Sequence, residues 1–293
     1  MDPCGSNGCA GQGSESITSQ VSKGDCMDPN TGAFGENLRV WRRRRALSQL
    51  ELAAAANIST RHLSFIETGR ANPSREMVLR LTARLQVPLR ERNVFLITAG
   101  YAPLYKESRL DDPAVAAAKS AVELILKGHE PFPALAIDRH WNLVAANSVL
   151  PHLLTSVDAS LLQAPVNVLR LTLHPLGLAA KIINLAQWRA HLFERLNHQI
   201  AVTGDRTLLA LLAELRNLPG PGREGDEALQ GEHLSIAVPL KLRSASGVLS
   251  FISTTTIFGS PVDITLQELA LETFFPLDEF TKEALQNREG LVL

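Results

Sequence analysis

A short polar face between positions 59 and 70 has the side chains needed to read a DNA duplex. In the stretch ANISTRHLSFIETGR, Thr60, Arg61 and Phe65 fall on the outer face of a predicted helix, with His62 at its edge. An arginine can donate two hydrogen bonds to guanine O6 and N7, and Phe65 and the Thr60 methyl can touch a thymine methyl. These contacts specify sequence when such a helix lies in the major groove.

Residues around this face add predicted DNA contacts. Gln49, at the start of the preceding helix, is placed to bond a phosphate, and Ser59 and Arg70 flank the reading helix. The run Arg42 to Arg45 either contacts phosphates or forms a solvated helix face. Phe65 likewise either faces the duplex or packs partly against the next helix.

The elements that must position this face form a predicted helix-turn-helix. Ser48 and Glu51 make a capping box that starts the first helix, and its alanines permit a close helix crossing. Asn57 tolerates the positive φ that a sharp turn needs. Leu63 and Ile66, three residues apart, point into the body, which leaves the polar face outside.

The charge distribution divides the chain into a basic and an acidic part. Residues 34–106 hold 13 Lys+Arg and 5 Asp+Glu, a net of +8. Residues 107–293 hold 15 and 21, a net of −6, and residues 1–33 hold 1 and 4, a net of −3. A basic block beside an acidic one indicates that one module meets a polyanion such as DNA and the other does not.

Composition limits the remaining classes. No apolar run reaches the ~18 residues of a membrane span, and no signal peptide is recognisable, so we expect a cytoplasmic protein without a membrane partner. The cysteines Cys4, Cys9 and Cys26 are odd in number and lie in the N-terminal tail, which predicts neither a disulfide framework nor a metal site.

We predict four segments with two folded domains. Residues 1–33 form a disordered tail, 34–104 a helix-turn-helix domain, 105–127 a helical connector and 128–293 an α+β domain. In the last segment, ALAIDRHWNLVAANS predicts two strands around a turn, while HLSIAVPLKLR and GVLSFISTTTIF predict further strands. LPGPGREGDEALQGE predicts a polar loop. The capping box in TLQE, which begins at Thr265, predicts the start of a final helix.

The α+β segment offers candidate ligand contacts. Arg170, Thr172 and His174 alternate in NVLRLTLHP and share one face if this piece is extended. With Asn147 and Asn167 they could bind the carboxylate of a hydrophobic ligand. Alternatively, Arg170 and His174 cap helices or pair with Asp138 or Glu272. For His191 and His198, seven residues apart, surface positions are favoured over haem or metal.

The N-terminal region resembles the phage-repressor-like helix-turn-helix family, also called the Cro and xenobiotic-response-element-type regulators. LSQLELA, a short turn, an IE-x-GR ending and NPS carry the resemblance. It implies that Gln49, Thr60, Arg61, His62 and Phe65 face an operator in double-stranded DNA. The continuation VPLRERNVFLITAGYAPLY resembles the narrower MmyB-like group of regulators.

The second half resembles the ligand-binding part of the same MmyB-like group over nearly all of residues 130–282. AIDRHWNLVAANSVL, NVLRLTLHPLGL and FISTTTIFGSPVDITLQELALETFFP carry this resemblance. It implies a PAS-like sheet covered by helices, an apolar cavity for a fatty acid or similar molecule, and a homodimer. The expected fold is therefore an all-α helix-turn-helix domain followed by an α+β PAS-like domain.

No arrangement of catalytic residues is recognisable, and no bound cofactor is expected, so we do not expect an enzyme. The hypothesis is a transcription regulator in which a small hydrophobic ligand modulates operator binding. Two alternatives stay open at this point. The second half could serve only as a dimerisation or protein-partner platform, or it could be an enzyme or cofactor-based sensor.

Overall fold

The computed structural model describes residues 29–108, 112–220, 238–258 and 263–287. The three cysteines, most of the predicted tail and most of the predicted polar loop lie outside the described residues. Helix α1 (Pro29–Arg44) begins inside the segment that composition predicts to be disordered, so this segment differs from the prediction at its last five residues.

Serine caps begin three of the helices found within residues 29–108. The helices after α1 are α2 (Gln49–Ala55), α3 (Thr60–Glu67), α4 (Arg75–Arg84) and α5 (Leu89–Thr98). Ser48, Ser59 and Ser74 each accept a hydrogen bond from the backbone N–H three residues later. These caps satisfy N–H groups that would lack partners, and thereby fix where α2, α3 and α4 begin.

The five helices share one apolar core. Phe34 of α1 meets Phe95 of α5 edge to face, with ring centroids 5.4 Å apart. Leu63 and Ile66 of α3 are fully buried in this core, as their spacing predicts. Each such side chain contributes about 1.5–3 kcal/mol on burial, so the inner face of α3 fixes how its outer face is presented.

Asn57 makes the corner between α2 and α3 in the predicted way. Its φ of 55° places it in the left-handed region, where asparagine is tolerated better than most side chains. Ile58 follows, half-buried against the core, and Ala53 of α2 is buried where the two helices cross. The turn therefore agrees with the sequence prediction, and of Ala53 and Ala54, the two alanines that the sequence offers for the helix contact, Ala53 is buried and Ala54 is exposed.

A polar anchor joins the helical domain to the connector. The Asn93 side chain on α5 accepts hydrogen bonds from the N–H groups of Leu104 and Tyr105 and donates one to the Tyr105 carbonyl, at 2.7–3.0 Å. Within the connector, α6 (Ala116–Gly128) packs Val122 and Leu126 against the sheet.

An antiparallel sheet forms the centre of the second domain. Among the described residues it has five strands, in the order β2-β1-β5-β4-β3. The strands are β1 (Ala134–Ile137), β2 (Leu143–Ala146), β3 (Leu240–Arg243), β4 (Val248–Ile257) and β5 (Ala270–Pro276). Since β3 is an edge strand, Pro239 immediately before it disrupts no ladder.

Helices inserted between β2 and β3 cover the inner face of this sheet. They are α7 (Val168–Leu173), α8 (Leu185–Thr203) and α9 (Arg206–Arg216). Two further helices lie outside this insertion: α10 (Ile264–Gln267) precedes β5 and α11 (Glu279–Asn287) follows it. Trp188, Leu192 and Leu196 of α8 are buried against the sheet, as their spacing predicts. The helix-turn-helix domain followed by an α+β PAS-like domain confirms the predicted fold class.

Two local predictions were wrong. NVLRLTLHP is not extended, because Asn167 caps α7 by accepting a hydrogen bond from the Arg170 N–H. Its alternating leucines reflect a short helix that is buried on several sides rather than a strand. Thr265 likewise does not cap a final helix, since the cap of the short α10 is Asp263 and α11 follows it.

Candidate functional site

The outer face of α3 is directed to solvent. Arg61 and Thr68 are exposed, and Thr60, Ser64 and Phe65 are partly exposed. The Arg61 guanidinium lies 5.3 Å from the centroid of the Phe65 ring and, among the described residues, makes no hydrogen bond or ion pair. The Arg61 guanidinium can therefore donate hydrogen bonds to a ligand without first breaking a hydrogen bond within the protein.

The predicted DNA contacts that flank the outer face of α3 differ in whether their side chains already form hydrogen bonds within the protein. The Ser59 hydroxyl accepts the His62 N–H at 3.1 Å, and its own proton remains able to donate. Arg70 is exposed after the end of α3. Gln49 instead uses its amide within the protein, where Nε2 donates to Glu67 Oε2 at 2.8 Å. Ser59 thus lies at the start of α3, and Gln49 and Arg70 lie at its end, and their roles toward DNA stay predictions.

A buried ion pair holds α3 against α1. Arg42 Nε lies 2.7 Å from Glu67 Oε1 and Nη2 lies 3.0 Å from Oε2, and Nη1 donates to the Leu47 carbonyl. Burial opposes ionisation of Glu67, but hydrogen bonds from Arg42 and Gln49 outweigh it and lower the pKa of this carboxyl. The pair therefore stays charged and fixes the far end of α3.

The arginine run divides into different roles. Arg42 is buried in the ion pair and cannot reach a phosphate while that pair holds. Arg44 and Arg45 donate to the carbonyls of Thr203 and Val202 in the second domain. Arg43 is exposed. Three of the four arginines thus make contacts within the protein. Arg44 and Arg45 reach the second domain because α1 ends where the two domains meet.

An apolar cavity lies between the sheet and the helices of the second domain. Its volume is about 80 Å³. The walls are mainly leucine with aromatic rings, and they include Leu153, Leu169, Trp188, Leu192, Leu242 and Phe251. Polar groups are few and comprise Thr172, Arg195 and Glu272. The chemistry of the walls fits a hydrophobic ligand with a polar end.

The four predicted ligand contacts do not line this cavity. The buried Asn147 bonds the Ala134 N–H and the Phe132 carbonyl, and Asn167 caps α7. Arg170 is paired with Glu214 on α9, at 2.6 Å and 2.7 Å. His174 Nδ1 accepts the Leu176 N–H at 3.1 Å. The pairing of Arg170 agrees with the alternative of an ion pair, although with a different partner.

Arg195 and Glu272 are the polar residues that sequence reasoning did not assign to a ligand. Arg195 Nη2 lies 2.5 Å from Glu272 Oε1, and Glu272 is almost completely buried. A single acidic residue inside the apolar strand ALETFFP was a signal for Glu272. Arg195 gave no comparable signal, because it stands among other polar residues on α8.

A wide crevice separates the two domains, and polar contacts bridge it. Its volume is about 1190 Å³, and its walls come from the start of α5, the β1–β2 turn, α8 and the region of α10 and β5. Arg90 of α5 binds both carboxylate oxygens of Glu268, at 2.8 Å and 2.9 Å. Arg139 lies 3.6 Å from the same carboxylate. A movement of either domain would therefore change the contacts of the Glu268 carboxylate.

Two titratable side chains in the crevice are shifted by burial. Burial raises the pKa of Glu91 on α5, a shift that the nearby Arg139 partly opposes. Burial also lowers the pKa of His191 on α8, and the charge of Arg195 acts in the same direction. The crevice thus favours uncharged forms of both side chains.

In the part of the chain that the structure describes, no cluster of three or more His, Cys, Asp or Glu side chains could hold a metal ion. No helix in that part is both long enough and apolar enough to cross a membrane.

Comparisons with known families place both domains. Residues 33–95 match a family described as a helix-turn-helix domain. Residues 118–287, more than half of the chain, match the MmyB-like transcription regulator ligand binding domain. No curated protein matches the chain.

One similar solved structure is the clp gene regulator ClgR from C. glutamicum. It is 29% identical to this chain, with a match that covers 25% of this chain and 91% of the ClgR chain. Its TM-score is 0.22, so the likeness carries no structural argument.

Proposed function

Since the chain belongs to the MmyB-like transcription regulators, we propose that it binds a specific operator through α3 and adjusts that binding to a hydrophobic ligand. The chain is a DNA-binding regulator with a helix-turn-helix and an MmyB-like ligand-binding domain. The observation that carries the proposal is the exposed outer face of α3, where the Arg61 guanidinium has no hydrogen-bonding partner among the described residues, on the same chain as an apolar cavity. We propose the cytoplasm as its place of action.

We propose that Arg61 reads a base edge and is supported by Thr60, Phe65 and the flanking residues Gln49, Ser59, His62 and Arg70. The guanidinium is exposed, has no hydrogen-bonding partner among the described residues and lies above the Phe65 ring. This stacking orients the planar donor group without using its N–H donors. An arginine held in this way is suited to a guanine in the major groove.

Replacing Arg61 with alanine is expected to weaken operator binding by roughly 1–3 kcal/mol if Arg61 reads a guanine. The measurement is fluorescence anisotropy with the DNA upstream of the gene, for the wild type and for single base-pair changes. The loss should concern one base position only. Arg75→Ala is the control, because this exposed arginine lies on α4 outside the reading face. An equal loss on all sequences would make Arg61 a phosphate contact instead.

We propose that the regulator acts as a homodimer whose second domain joins the two copies. Helix-turn-helix dimers read half-sites about one helical turn, ~34 Å, apart, so a change in the spacing of two α3 helices weakens both contacts together. The interdomain contacts of Arg90, Arg44 and Arg45 support such coupling, because they tie the helical domain to the PAS-like domain. Sedimentation of the full chain tests the dimer.

We propose that the cavity of the second domain binds a fatty acid or a similar amphiphile. The apolar walls support this choice, and the volume sets a condition on it. Pockets for small molecules usually span about 300–1,000 Å³. The present volume of about 80 Å³ is smaller, so binding requires the surrounding helices to move outward. That movement is the event by which ligand binding reaches the rest of the molecule.

Breaking the bridge at Arg90 is expected to uncouple ligand binding from DNA binding. In Arg90→Ala the contacts with Glu268 and Glu107 are lost, which removes the charged link between α5 and the region of α10 and β5, while the Arg44 and Arg45 contacts with the end of α8 remain. We expect an effect of dodecanoate on operator affinity in the wild type, within the usual allosteric range of about 5–150-fold, and less than about twofold in the variant. Arg170→Ala, which removes an ion pair within the second domain, is the control.

The small cavity volume also favours a second candidate function. If the helices do not move, the second domain serves only as a dimerisation or protein-partner platform. A native mass spectrum of the purified protein distinguishes the two functions, since a bound lipid adds its mass to the protein. Anisotropy that is the same with and without every long-chain fatty acid would favour the platform.

A further inference from the structure

The ion pair between Arg195 and Glu272 stands in an apolar wall. Arg195 Nη2 contacts Glu272 Oε1 at 2.5 Å, and Nη1 lies 3.4 Å from Oε2. Thr255 bridges the pair, because its hydroxyl lies 2.9 Å from Arg195 Nη2 and 2.8 Å from Glu272 Oε1. The Arg195 guanidinium also lies 4.8 Å from the centroid of the Trp141 ring. Arg195 is thus held ready to bind a carboxylate.

Stability alone does not account for a charged pair in this position. Removing both charges from water costs about as much as their attraction returns, and apolar residues of similar size often stabilise a core better. A guanidinium that already binds a carboxylate within the protein has the geometry to bind another carboxylate in its place. The Glu272 side chain therefore has the position that an acidic head group would take.

The location of the pair identifies an access route. Arg195 and Glu272 line the apolar cavity, and the same two side chains line the interdomain crevice. The pair is therefore part of the partition between the two spaces. An amphiphile that arrives in the crevice meets Arg195 first and has the cavity behind it.

Building on the proposed function, we propose that Arg195 binds the carboxylate of the ligand and that Glu272 occupies this position while the ligand is absent. The alkyl chain passes the partition and extends between Trp188 and Leu192 into the cavity. Glu272 turns toward the crevice, where solvent receives its charge. This assignment replaces Arg170 as the carboxylate contact, because Arg170 lies outside the cavity and is paired with Glu214.

The test uses the full chain and two probes of equal chain length, dodecanoate and 1-dodecanol, in isothermal titration calorimetry. Only dodecanoate carries the carboxylate that Arg195 would bind. In Arg195→Gln we expect dodecanoate binding to weaken by at least about tenfold, the scale of hydrogen bonds to a charged group, and dodecanol binding to stay within about threefold. Arg170→Gln should bind both probes as the wild type does.

Glu272→Gln gives the complementary result. Its neutral amide competes less strongly for Arg195, so we expect dodecanoate to bind severalfold more tightly and dodecanol to bind as before. This variant also decides the question if Arg195→Gln shows no cooperative thermal transition. Unchanged dodecanoate binding in Glu272→Gln would then overturn the assignment of Arg195.

The outcomes separate this inference from the proposed function. If Arg195→Gln binds dodecanoate as tightly as the wild type, the assignment of Arg195 is overturned, while a hydrophobic ligand remains supported. If both probes lose affinity equally in Arg195→Gln, the side chain supports the cavity and does not recognise the carboxylate, which also overturns it. If the wild type binds neither probe, the proposed ligand function itself fails.

Discussion

Replacing Glu67 with alanine is expected to lower the free energy of unfolding of the helical domain by about 3–5 kcal/mol. The substitution leaves Arg42 buried without its charge partner and removes the acceptor of the Gln49 amide. An unpaired buried guanidinium retains its full desolvation penalty. Hydrogen exchange of the α1 and α3 amides measures this loss in the affected domain.

Glu76→Ala is the matched control for Glu67→Ala. Glu76 is an exposed glutamate in the first turn of α4, so its removal should cost less than about 1 kcal/mol. Equal exchange rates in the two variants would contradict the proposed role of the buried pair.

The ion pair between Arg42 and Glu67 also makes the stability of the helical domain depend on pH in the acid range. Because the folded-state pKa of Glu67 is lowered, the unfolded state binds more protons in this range. The contribution of the pair to the free energy of unfolding is fully present above the ordinary pKa of a glutamate carboxyl. It is lost as the pH falls through the lowered pKa that Glu67 has in the folded state. Glu67→Ala should therefore abolish this part of the acid sensitivity, which a series of unfolding curves at decreasing pH would reveal.

Replacing Gly35 with alanine is expected to destabilise the helical domain by about 3 kcal/mol, at the upper end of what overpacking usually costs. A Cβ on Gly35 would stand 2.5 Å from the Ile66 carbonyl oxygen and 2.6 Å from that of Glu67. Both are backbone atoms at the end of α3, so no side chain can turn away to make room. Helices α1 and α3 would have to separate.

Gly35→Ala should also affect DNA binding more than stability alone predicts. A displaced α3 presents Arg61 at a different angle to the groove, so operator affinity should fall even where the domain is still folded. Anisotropy measured at a temperature well below the unfolding transition tests this point. An unchanged affinity would show that α3 keeps its position.

Gly128→Ala is the matched control for Gly35→Ala. Gly128 is the last residue of α6, and a Cβ there would meet no atom within 4 Å. Because alanine favours helix more than glycine by up to about 1 kcal/mol, this change should leave stability equal or slightly raised. A loss similar to that of Gly35→Ala would argue against the close approach of α1 and α3 as the cause.

Features that depend on neighbouring residues were predictable from the sequence. The Ser48 and Glu51 capping box, the left-handed Asn57 and the inward Leu63 and Ile66 all follow from sterics and hydrogen bonds within a few residues. The strand β4 was also predicted, because its β-branched residues favour extended backbone. The extended conformation considered for the α7 segment is wrong, because alternating leucines are compatible with either a strand or a buried short helix.

The sequence by itself thus determined the fold class, the exposed polar face of α3 and the basic character of the first domain. Only the tertiary structure decided which charges are free. Glu67 pairs with Arg42 across 25 residues, Glu272 with Arg195 across 77 and Glu268 with Arg90 across 178. No local rule selects such partners, because their distance in space depends on how whole helices and strands pack. For this reason three arginines of the run make contacts within the protein, a role that neither alternative for the run described, and the ligand proposal passed from Arg170 to Arg195.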